Sequence, residues 1–170
     1  MDRKKDFCTM NDSLATPIPA GFVELPIRSG FMGPNGPLYG RRDGDHVVLG
    51  FRVESRHCNP RDVCHGGMLM LFADMQLPLA ARAQADLNDD FFPTINLTTD
   101  FLAPAPLGAW VQGRADVVKV TRNMVFAQGV IEADGVLVCR VNGIFKRGGP
   151  VELPGLFDLR KLFGRGASAS

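Results

Sequence analysis

One acidic residue, Asp74, lies within an otherwise apolar run of the sequence. The run Met68–Ala81 reads Met-Leu-Met-Leu-Phe-Ala-Asp-Met-Gln-Leu-Pro-Leu-Ala-Ala, and Asp74 is its only charged residue. Because the run is apolar on all sides, it predicts a helix that is buried on most of its faces. Burying a carboxylate without partners is costly. Asp74 is therefore a candidate nucleophile or general base, or else an Asp that reaches water or caps a backbone group across an interface.

Two glycines, Gly66 and Gly67, stand between His65 and this helix. Glycine lets a ligand or another stretch of backbone approach closely, and the first N–H groups of a helix have no partner within it. A substrate carbonyl placed at these N–H groups would find an oxyanion hole at the positive end of the helix dipole. The simpler interpretation is a tight turn between a strand and the helix.

The spacing of Gly67 and Asp74 limits how the two residues can act together. They are seven residues apart, so they share one face of a straight helix. A rise of ~1.5 Å per residue separates them by roughly 10 Å along the axis, which is too far for one small reacting centre to touch both. If both residues act on one carbonyl, the sequence predicts a site shared between two subunits.

Cysteine and histidine residues occur beside each other at two places, His57-Cys58 and Cys64-His65. Zinc sites use a closed set of four ligands, usually with tighter Cys spacing, and we expect no metal here. A cysteine nucleophile, Cys58 or Cys64, has no clear acid partner in the sequence. Since no secretion signal supports disulfide bonds, we interpret all four cysteines as reduced thiols, the other two being Cys8 and Cys139.

Regular strand patterns surround the predicted helix. Apolar residues with strand-like patterning predict strands over residues 47–53, 94–102, 109–120, 124–133 and 136–145. Asp134-Gly135 is a two-residue hairpin signal. Pro78 lacks an N–H group and should kink the helix or shorten its last turn. One long buried helix with about five or six antiparallel strands suggests a sheet curled around the helix.

The ends of the sequence have a different character. Residues 1–45 contain repeated Pro and Gly and predict an irregular lead-in. Residues 148–170 begin with Gly-Gly-Pro and end with Gly-Ala-Ser-Ala-Ser, which predicts a loose tail with disordered last residues. The regular domain is expected over residues 46–147.

The motif around the helix carries a resemblance to a known family. Asn59-Pro-Arg-Asp-Val-Cys-His65-Gly-Gly, followed by Leu71-Phe-Ala-Asp74, resembles the signature of hotdog-fold acyl-CoA thioesterases of the phenylacetate-pathway (PaaI-like) family. The stretch 94–105 looks like the strand after the helix in that family. The resemblance covers roughly residues 45–147. It implies an α+β hotdog fold, in which a curved antiparallel sheet wraps around one long central helix.

The resemblance also implies a role for each matching residue. Asp74 would be the nucleophile or the general base for water, and Gly67 would offer its N–H to the thioester oxygen. Asn59 would orient the thioester or the water, and Thr94 would position the water through its hydroxyl. His65 would shape the turn and hydrogen-bond near the thioester. Two subunits share each site in this family, which implies a second copy as partner, in a homodimer or a dimer of dimers.

Coenzyme A brings phosphates, and the resemblance therefore implies basic residues at the entrance. We expect substrate contacts from Gly66 and from four residues near the ends of later strands, Arg122, Asn123, Lys146 and Arg147. For any one of these cations, the simpler interpretation is a solvated strand end. Coenzyme A belongs to the substrate, and no cofactor is implied.

Two further functions compete with hydrolysis. A hotdog dehydratase would resemble a pattern with a catalytic His and a Glu in the helix, whereas the acid of this helix is Asp74. A non-catalytic acyl-CoA-binding module or regulator could keep the fold and pocket, although binding alone does not need a buried carboxylate. Thiol release from a panel of acyl-CoAs separates an enzyme from a binding module.

Composition excludes several broad classes. The 170 residues include 19 Lys and Arg against 18 Asp and Glu, a net charge of +1 that argues against a nucleic-acid partner. With 45% hydrophobic and 22% charged residues, the composition is that of a globular domain. No run approaches the ~20 apolar residues of a membrane span, and the first residues lack a signal-like apolar region. We therefore expect a soluble, cytoplasmic protein.

Overall fold

The computed structural model describes residues 17–28, 30–87, 89–150 and 157–164. These residues form seven strands and two α-helices, with short 3-10 turns at Gly30–Met32 and Ser55–His57. In chain order the elements are β1 (Val23–Glu24), β2 (Tyr39–Asp43), β3 (His46–Arg52), α1 (Gly66–Gln84), β4 (Thr94–Phe101), β5 (Trp110–Val120), β6 (Met124–Ala133), β7 (Val136–Lys146) and α2 (Leu159–Phe163).

All seven strands belong to one antiparallel sheet with the order β1-β2-β3-β5-β6-β7-β4. The strand predictions for β3 to β7 are confirmed, within one residue for β3, β4, β5 and β7 and without any shift for β6. Asp134 and Gly135 connect β6 to β7 with positive φ values of 47° and 82°, as a two-residue hairpin turn requires. The sheet thus ends at β4, whose other edge pairs with no strand of the described residues.

Helix α1 is the long central helix that the apolar run predicts. Phe72, Ala73 and Leu77 are completely buried, and the ring of Phe72 packs on Phe51 of β3 at 5.2 Å. The helix continues for six residues beyond Pro78, so of the two alternatives predicted for Pro78, a kink or a shortened last turn, the shortened turn does not occur. Burial on the sheet side offsets the backbone hydrogen bond that proline removes.

The sheet can approach this helix closely because glycines stand where the helix crosses it. Gln76 lies buried against β5 and β6, and its Nε2 donates a hydrogen bond to the Val130 carbonyl at 3.2 Å. A β-carbon at Gly113 would collide with the side-chain oxygen of Gln76, and one at Gly129 would lie 2.9 Å from its Nε2. These two positions therefore need glycine for close helix–sheet packing.

The two ends of the chain differ from the expected irregular segments. The lead-in contains β1 and β2, and β2 pairs with β3 from Tyr39↔Gly50 to Asp43↔His46, so the expected boundary at residue 45 lies inside this hairpin. The Phe163 ring lies so close to Gly40 that a β-carbon there would be 2.8 Å from it. Helix α2 therefore packs back onto β2. The predicted disorder of the last residues concerns positions 165–170, outside the described residues.

Candidate active site

The carboxylate of Asp74 and the hydroxyl of Thr94 meet at the start of β4. Thr94 Oγ1 donates a hydrogen bond of 2.6 Å to Asp74 Oδ1. Asp74 lies on the half-buried face of α1, and Thr94 is exposed at the first position of β4. The Asp74 side chain thus reaches the surface, as one of the two interpretations of its sequence context allowed, and it has a hydroxyl partner. The two residues are nevertheless brought together, as a shared role on one water would require.

The start of α1 is capped by the side chain of His65. Its Nδ1 accepts a hydrogen bond of 2.9 Å from the Gly67 N–H, so the ring proton is on Nε2 when the imidazole is neutral. His65 thus shapes the turn, as a helix N-cap. The Gly67 N–H, expected to bind a thioester oxygen, is occupied by this imidazole in the structure. The His65 side chain is exposed and can rotate away from the amide.

A short antiparallel ladder builds the turn that leads into the helix. The His65 N–H donates to the His57 carbonyl at 2.8 Å, and the Asn59 N–H donates to the Val63 carbonyl at 2.9 Å. Asn59 Oδ1 accepts the Arg61 N–H at 2.9 Å and starts the loop as an Asx turn. The Asn59 side chain thus organises its own loop.

His57 anchors the same turn from the inside. It is 3% exposed, its ring packs edge-on against Phe51 at 5.4 Å, and its Nδ1 accepts the Glu54 N–H at 3.0 Å. Burial, with a smaller contribution from Arg56, lowers the pKa of His57 below its ordinary value. The neutral imidazole is therefore the form that the folded protein favours.

The lowered pKa of His57 predicts loss of stability on mild acidification. The unfolded chain binds this proton more readily than the folded protein, so the free energy of unfolding falls as the pH drops below about 6.5. Melting temperatures between pH 7 and pH 5 measure the effect, and His57→Asn should flatten the slope. Equal slopes for wild type and His57→Asn would contradict the assignment.

The two halves of the predicted site lie at opposite ends of β4. At one end Thr94 contacts Asp74. At the other end the Phe101 ring covers Gly66, where a β-carbon would lie 3.2 Å from it. The strand is eight residues long. At ~3.3 Å per residue, its first and last Cα atoms are roughly 23 Å apart. Gly67 and Asp74 of one chain therefore do not converge.

An open cleft lies beside the start of α1. Its volume is about 370 Å³. The cleft is lined by Cys64, Gly66 and Leu69 and by residues 101–105. Phe101 and Leu102 are half exposed, at 52% and 54%, so they offer apolar contact to a ligand. Sequence reasoning did not single out Phe101, which lines this cleft and follows Asp100 directly in the family-like stretch after the helix.

The expected cations lie together near the start of β4 but differ in their partners. Lys146 donates its backbone N–H to the Pro93 carbonyl at 2.9 Å, and the Arg147 N–H donates to Asn123 at 2.8 Å. Arg122 and Lys146 are exposed. Arg147 instead places its Nε 2.8 Å from the carboxylate of Asp90, which is only 7% exposed. This ion pair accounts for Arg147 without a ligand, a role that sequence reasoning missed.

A catalytic cysteine nucleophile has little support in this region. Burial raises the pKa of Cys64 to about 12 and also raises that of Cys58, which disfavours the thiolates that nucleophilic attack needs. Within the described residues, no three His, Cys, Asp or Glu side chains converge on a point that would hold a metal ion. His57 and His65 are engaged with backbone N–H groups instead.

Among the described residues, no helix combines the length and apolarity that crossing a bilayer demands.

Sequence comparisons identify relatives of the chain. The family model of the thioesterase superfamily matches residues 62–139, from the loop before α1 into β7. A candidate esterase of Pseudomonas aeruginosa, PA0474, is 30% identical over 129 residues, which are 75% of this chain and 96% of that protein.

Solved structures share the fold. Zebrafish thioesterase superfamily member 2 superposes with a TM-score of 0.62 at 22% identity, covering 70% of this chain and 87% of that one. A variant of the phenylacetic acid degradation protein PaaI from Thermus thermophilus gives 0.59 at 24% identity, covering 69% and 97%. A hypothetical thioesterase of Streptococcus pneumoniae, determined with coenzyme A, gives 0.60 at 19% identity, covering 68% and 88%.

These likenesses agree with the architecture. The helix wrapped by a curved antiparallel sheet is the hotdog fold of the neighbouring thioesterases. The superfamily match spans the whole of α1, including the His65–Gly67 turn and Asp74. With 30% identity across nearly all of the Pseudomonas relative, the chain belongs to the thioesterase superfamily and is a thioester hydrolase.

Proposed function

We propose that this protein hydrolyses acyl-CoA thioesters to a free acid and coenzyme A. The observation that carries the proposal is the 2.6 Å hydrogen bond from Thr94 to Asp74, which holds an acidic group at a half-buried position in a thioester hydrolase. The Streptococcus pneumoniae neighbour was determined with coenzyme A, which supports this thiol as part of the substrate. Neither a metal nor a separate cofactor takes part in the proposed reaction.

In the proposed reaction, Asp74 acts on the water that attacks the thioester carbon. Thr94 holds Oδ1 of the carboxylate, so Oδ2 can face the water and remove its proton. Negative charge then develops on the thioester oxygen, which accepts a hydrogen bond from a backbone N–H at the start of α1. The C–S bond breaks, the free acid forms, and the departing thiolate takes the proton back from Asp74.

Direct attack by the Asp74 carboxylate is the alternative chemistry at the same site. It would expel the thiolate and leave an acyl-aspartyl anhydride, which water then hydrolyses. A single turnover in isotopically labelled water identifies this route if label enters Asp74. Label confined to the free acid, together with no acyl-Asp74 adduct after rapid quenching, supports the general-base role, because water that attacks the acyl carbon of the anhydride would also leave the label in the acid.

We propose that each site is completed by a second copy of the chain across the β4 edge. Strand β4 has an unpaired outer edge in the described structure, with Ile95 56% and Phe101 52% exposed, a combination that favours pairing with another strand. An antiparallel two-fold pairing centred between Leu97 and Thr98 would place Thr94 opposite Phe101 of the partner subunit. Because Phe101 covers Gly66 and Thr94 contacts Asp74, this pairing would bring the two halves of the site together.

Substrate binding in this proposal requires movement of His65. The imidazole accepts the Gly67 N–H through Nδ1, so the thioester oxygen must displace it to reach the same donor. The exposed ring can turn aside without disturbing the core. In the free enzyme, the His65 imidazole accepts the hydrogen bond of the Gly67 N–H until the thioester oxygen replaces it.

The phosphates of coenzyme A would bind near Arg122 and Lys146. Both side chains are exposed at the end of the sheet where Lys146 bonds Pro93, directly before Thr94. This end of the sheet carries the catalytic carboxylate of the same protomer. Arg147 is excluded from the phosphate contacts because Asp90 already pairs with it.

Thiol release from two series of thioesters tests the function and these cations. The first series joins a panel of aryl and aliphatic acyl groups to coenzyme A, and the second joins them to N-acetylcysteamine, which lacks phosphates. We expect turnover in both series. The double variant Arg122→Ala/Lys146→Ala should raise KM for acyl-CoA by about 5- to 30-fold, since each exposed charge pair contributes up to about 1 kcal/mol.

The truncated thioesters supply the control for this experiment. Their KM should not change in the double variant, and the effect on acyl-CoA should shrink at high salt. Arg28→Ala/Lys161→Ala removes two exposed cations near the opposite edge of the sheet and should change neither series. Equal changes in both series would refute the phosphate contacts. Tight acyl-CoA binding without any thiol release would instead favour a binding module.

A further inference from the structure

Two cysteines face each other in the ladder that precedes α1. Cys58 and Cys64 form an isolated antiparallel bridge. The backbone hydrogen bonds that flank this pair are Asn59 N–H to Val63 and His65 N–H to His57, at 2.9 and 2.8 Å. Because these bonds join the residues on either side, Cys58 and Cys64 are a non-hydrogen-bonded pair.

The geometry of such a pair matches the requirements of a disulfide. Directly opposite residues of this type have Cα atoms about 4.5 Å apart and side chains on the same face. A disulfide needs a Cα separation of roughly 4.4–6.8 Å. Both cysteines pack against the same hydrophobic core, Cys64 within it and Cys58 at its border, and both thiols are free. The backbone therefore needs little adjustment to accommodate the bond.

A small molecule can reach the pair from the surface. Cys58 is only half buried, and Cys64, although 6% exposed, lines the 370 Å³ cleft beside Gly66. Cys139, the other described cysteine, is completely buried on β7. It pairs in register with Phe101 and Ile131 rather than with either cysteine of the ladder.

We propose that Cys58 and Cys64 are a modification site that closes into an intramolecular disulfide when the protein meets a small-molecule disulfide. The Cys58 thiolate attacks one sulfur of the disulfide RSSR, the S–S bond breaks, and one thiol RSH leaves. The Cys64 thiolate then attacks Cys58 Sγ in the mixed disulfide and expels the second RSH. Two electrons and two protons pass from the cysteine pair to the reagent.

The disulfide would restrict the movement of the loop that carries Asn59 and lies immediately before α1. It would close residues 58–64 into a ring directly before His65, the residue that caps the helix. Burial raises the pKa of both thiols, so we expect the closure to accelerate as the pH rises. The chemistry depends on the two thiols alone and holds whether or not the protein hydrolyses acyl-CoA.

Mass spectrometry after equilibration with glutathione tests the proposal. The intact chain carrying Cys8→Ser, which removes a cysteine outside the described residues, is incubated over a range of oxidised to reduced glutathione ratios, and free thiols are then alkylated. Trypsin separates the pair into peptides 57–61 and 62–82, each with a single cysteine. We expect a linked pair of these peptides, two hydrogens lighter than their sum, that dithiothreitol converts to two free thiols.

Matched variants assign the linkage. Cys58→Ser and Cys64→Ser should each abolish the linked peptides, and Cys64→Ser should accumulate glutathione on Cys58. Cys139→Ser should form the link as wild type does. Circular dichroism before oxidation confirms that each variant is folded. Full alkylation of both thiols at the most oxidising ratio, or a link from Cys64 to Cys139, would overturn the proposal.

Discussion

Replacing Asp74 with asparagine should lower kcat by about 10²- to 10⁴-fold, the usual contribution of a general base. The amide keeps the size of the side chain and can still accept the Thr94 hydrogen bond, but it cannot take a proton from water. Since Asp74 is half buried rather than enclosed, the melting temperature should change little. Steady-state thiol release at saturating acyl-CoA gives kcat, and substrate binding to the variant should persist.

Two further variants separate the catalytic loss from a general loss of charge or packing. Asp116→Asn neutralises an exposed carboxylate on β5 that pairs with His46, and it should leave kcat unchanged. Thr94→Ala removes the hydroxyl that holds Asp74, whereas Thr94→Ser retains one, so only the alanine variant should lose activity. A rate near wild type for Asp74→Asn would remove Asp74 from the mechanism altogether.

The central part of the fold was predictable because its signals are local. The apolar run of α1 and the Asp134-Gly135 turn each fix their own element. Strand β2 was missed because Arg41 and Arg42 break any apolar pattern, and only pairing with β3 defines the strand. Helix α2 has five residues, too few to form without the contact of Phe163 with β2.

The residues of the candidate site were predictable from the sequence, but the groups that they contact were not. The spacing of Gly67 and Asp74 on one helix predicts that they are too far apart to meet, and the structure agrees, with Thr94 at one end of β4 and Phe101 at the other. The sequence offers a helix-start N–H but does not reveal which acceptor takes it, which is the imidazole of His65. Such contacts depend on side-chain rotamers, and sequence spacing does not determine these.

Mixing two inactive variants should restore activity if the site is shared between subunits. Asp74→Asn removes the base, and Gly67→Pro removes the donor N–H at a position in the first helical turn, where proline is tolerated. Loss of one oxyanion donor costs about 2.7–4 kcal/mol, so Gly67→Pro should also be nearly inactive. A mixed dimer contains one doubly defective site and one site with Gly67 from one chain and Asp74 from the other, both intact.

Random reassortment makes about half of the dimers mixed, so the mixture should reach about a quarter of the wild-type rate. The control is the double variant Asp74→Asn/Gly67→Pro mixed with wild type. Its mixed dimers carry one defect in each site and should add no activity beyond the remaining wild-type dimers. If Gly67→Pro does not fold, Gly67→Val replaces it, because the added carbons would crowd the position where the thioester oxygen binds while the N–H stays in place. Two folded single variants that exchange chains and remain inactive would show that Gly67 and Asp74 of different subunits do not form one site.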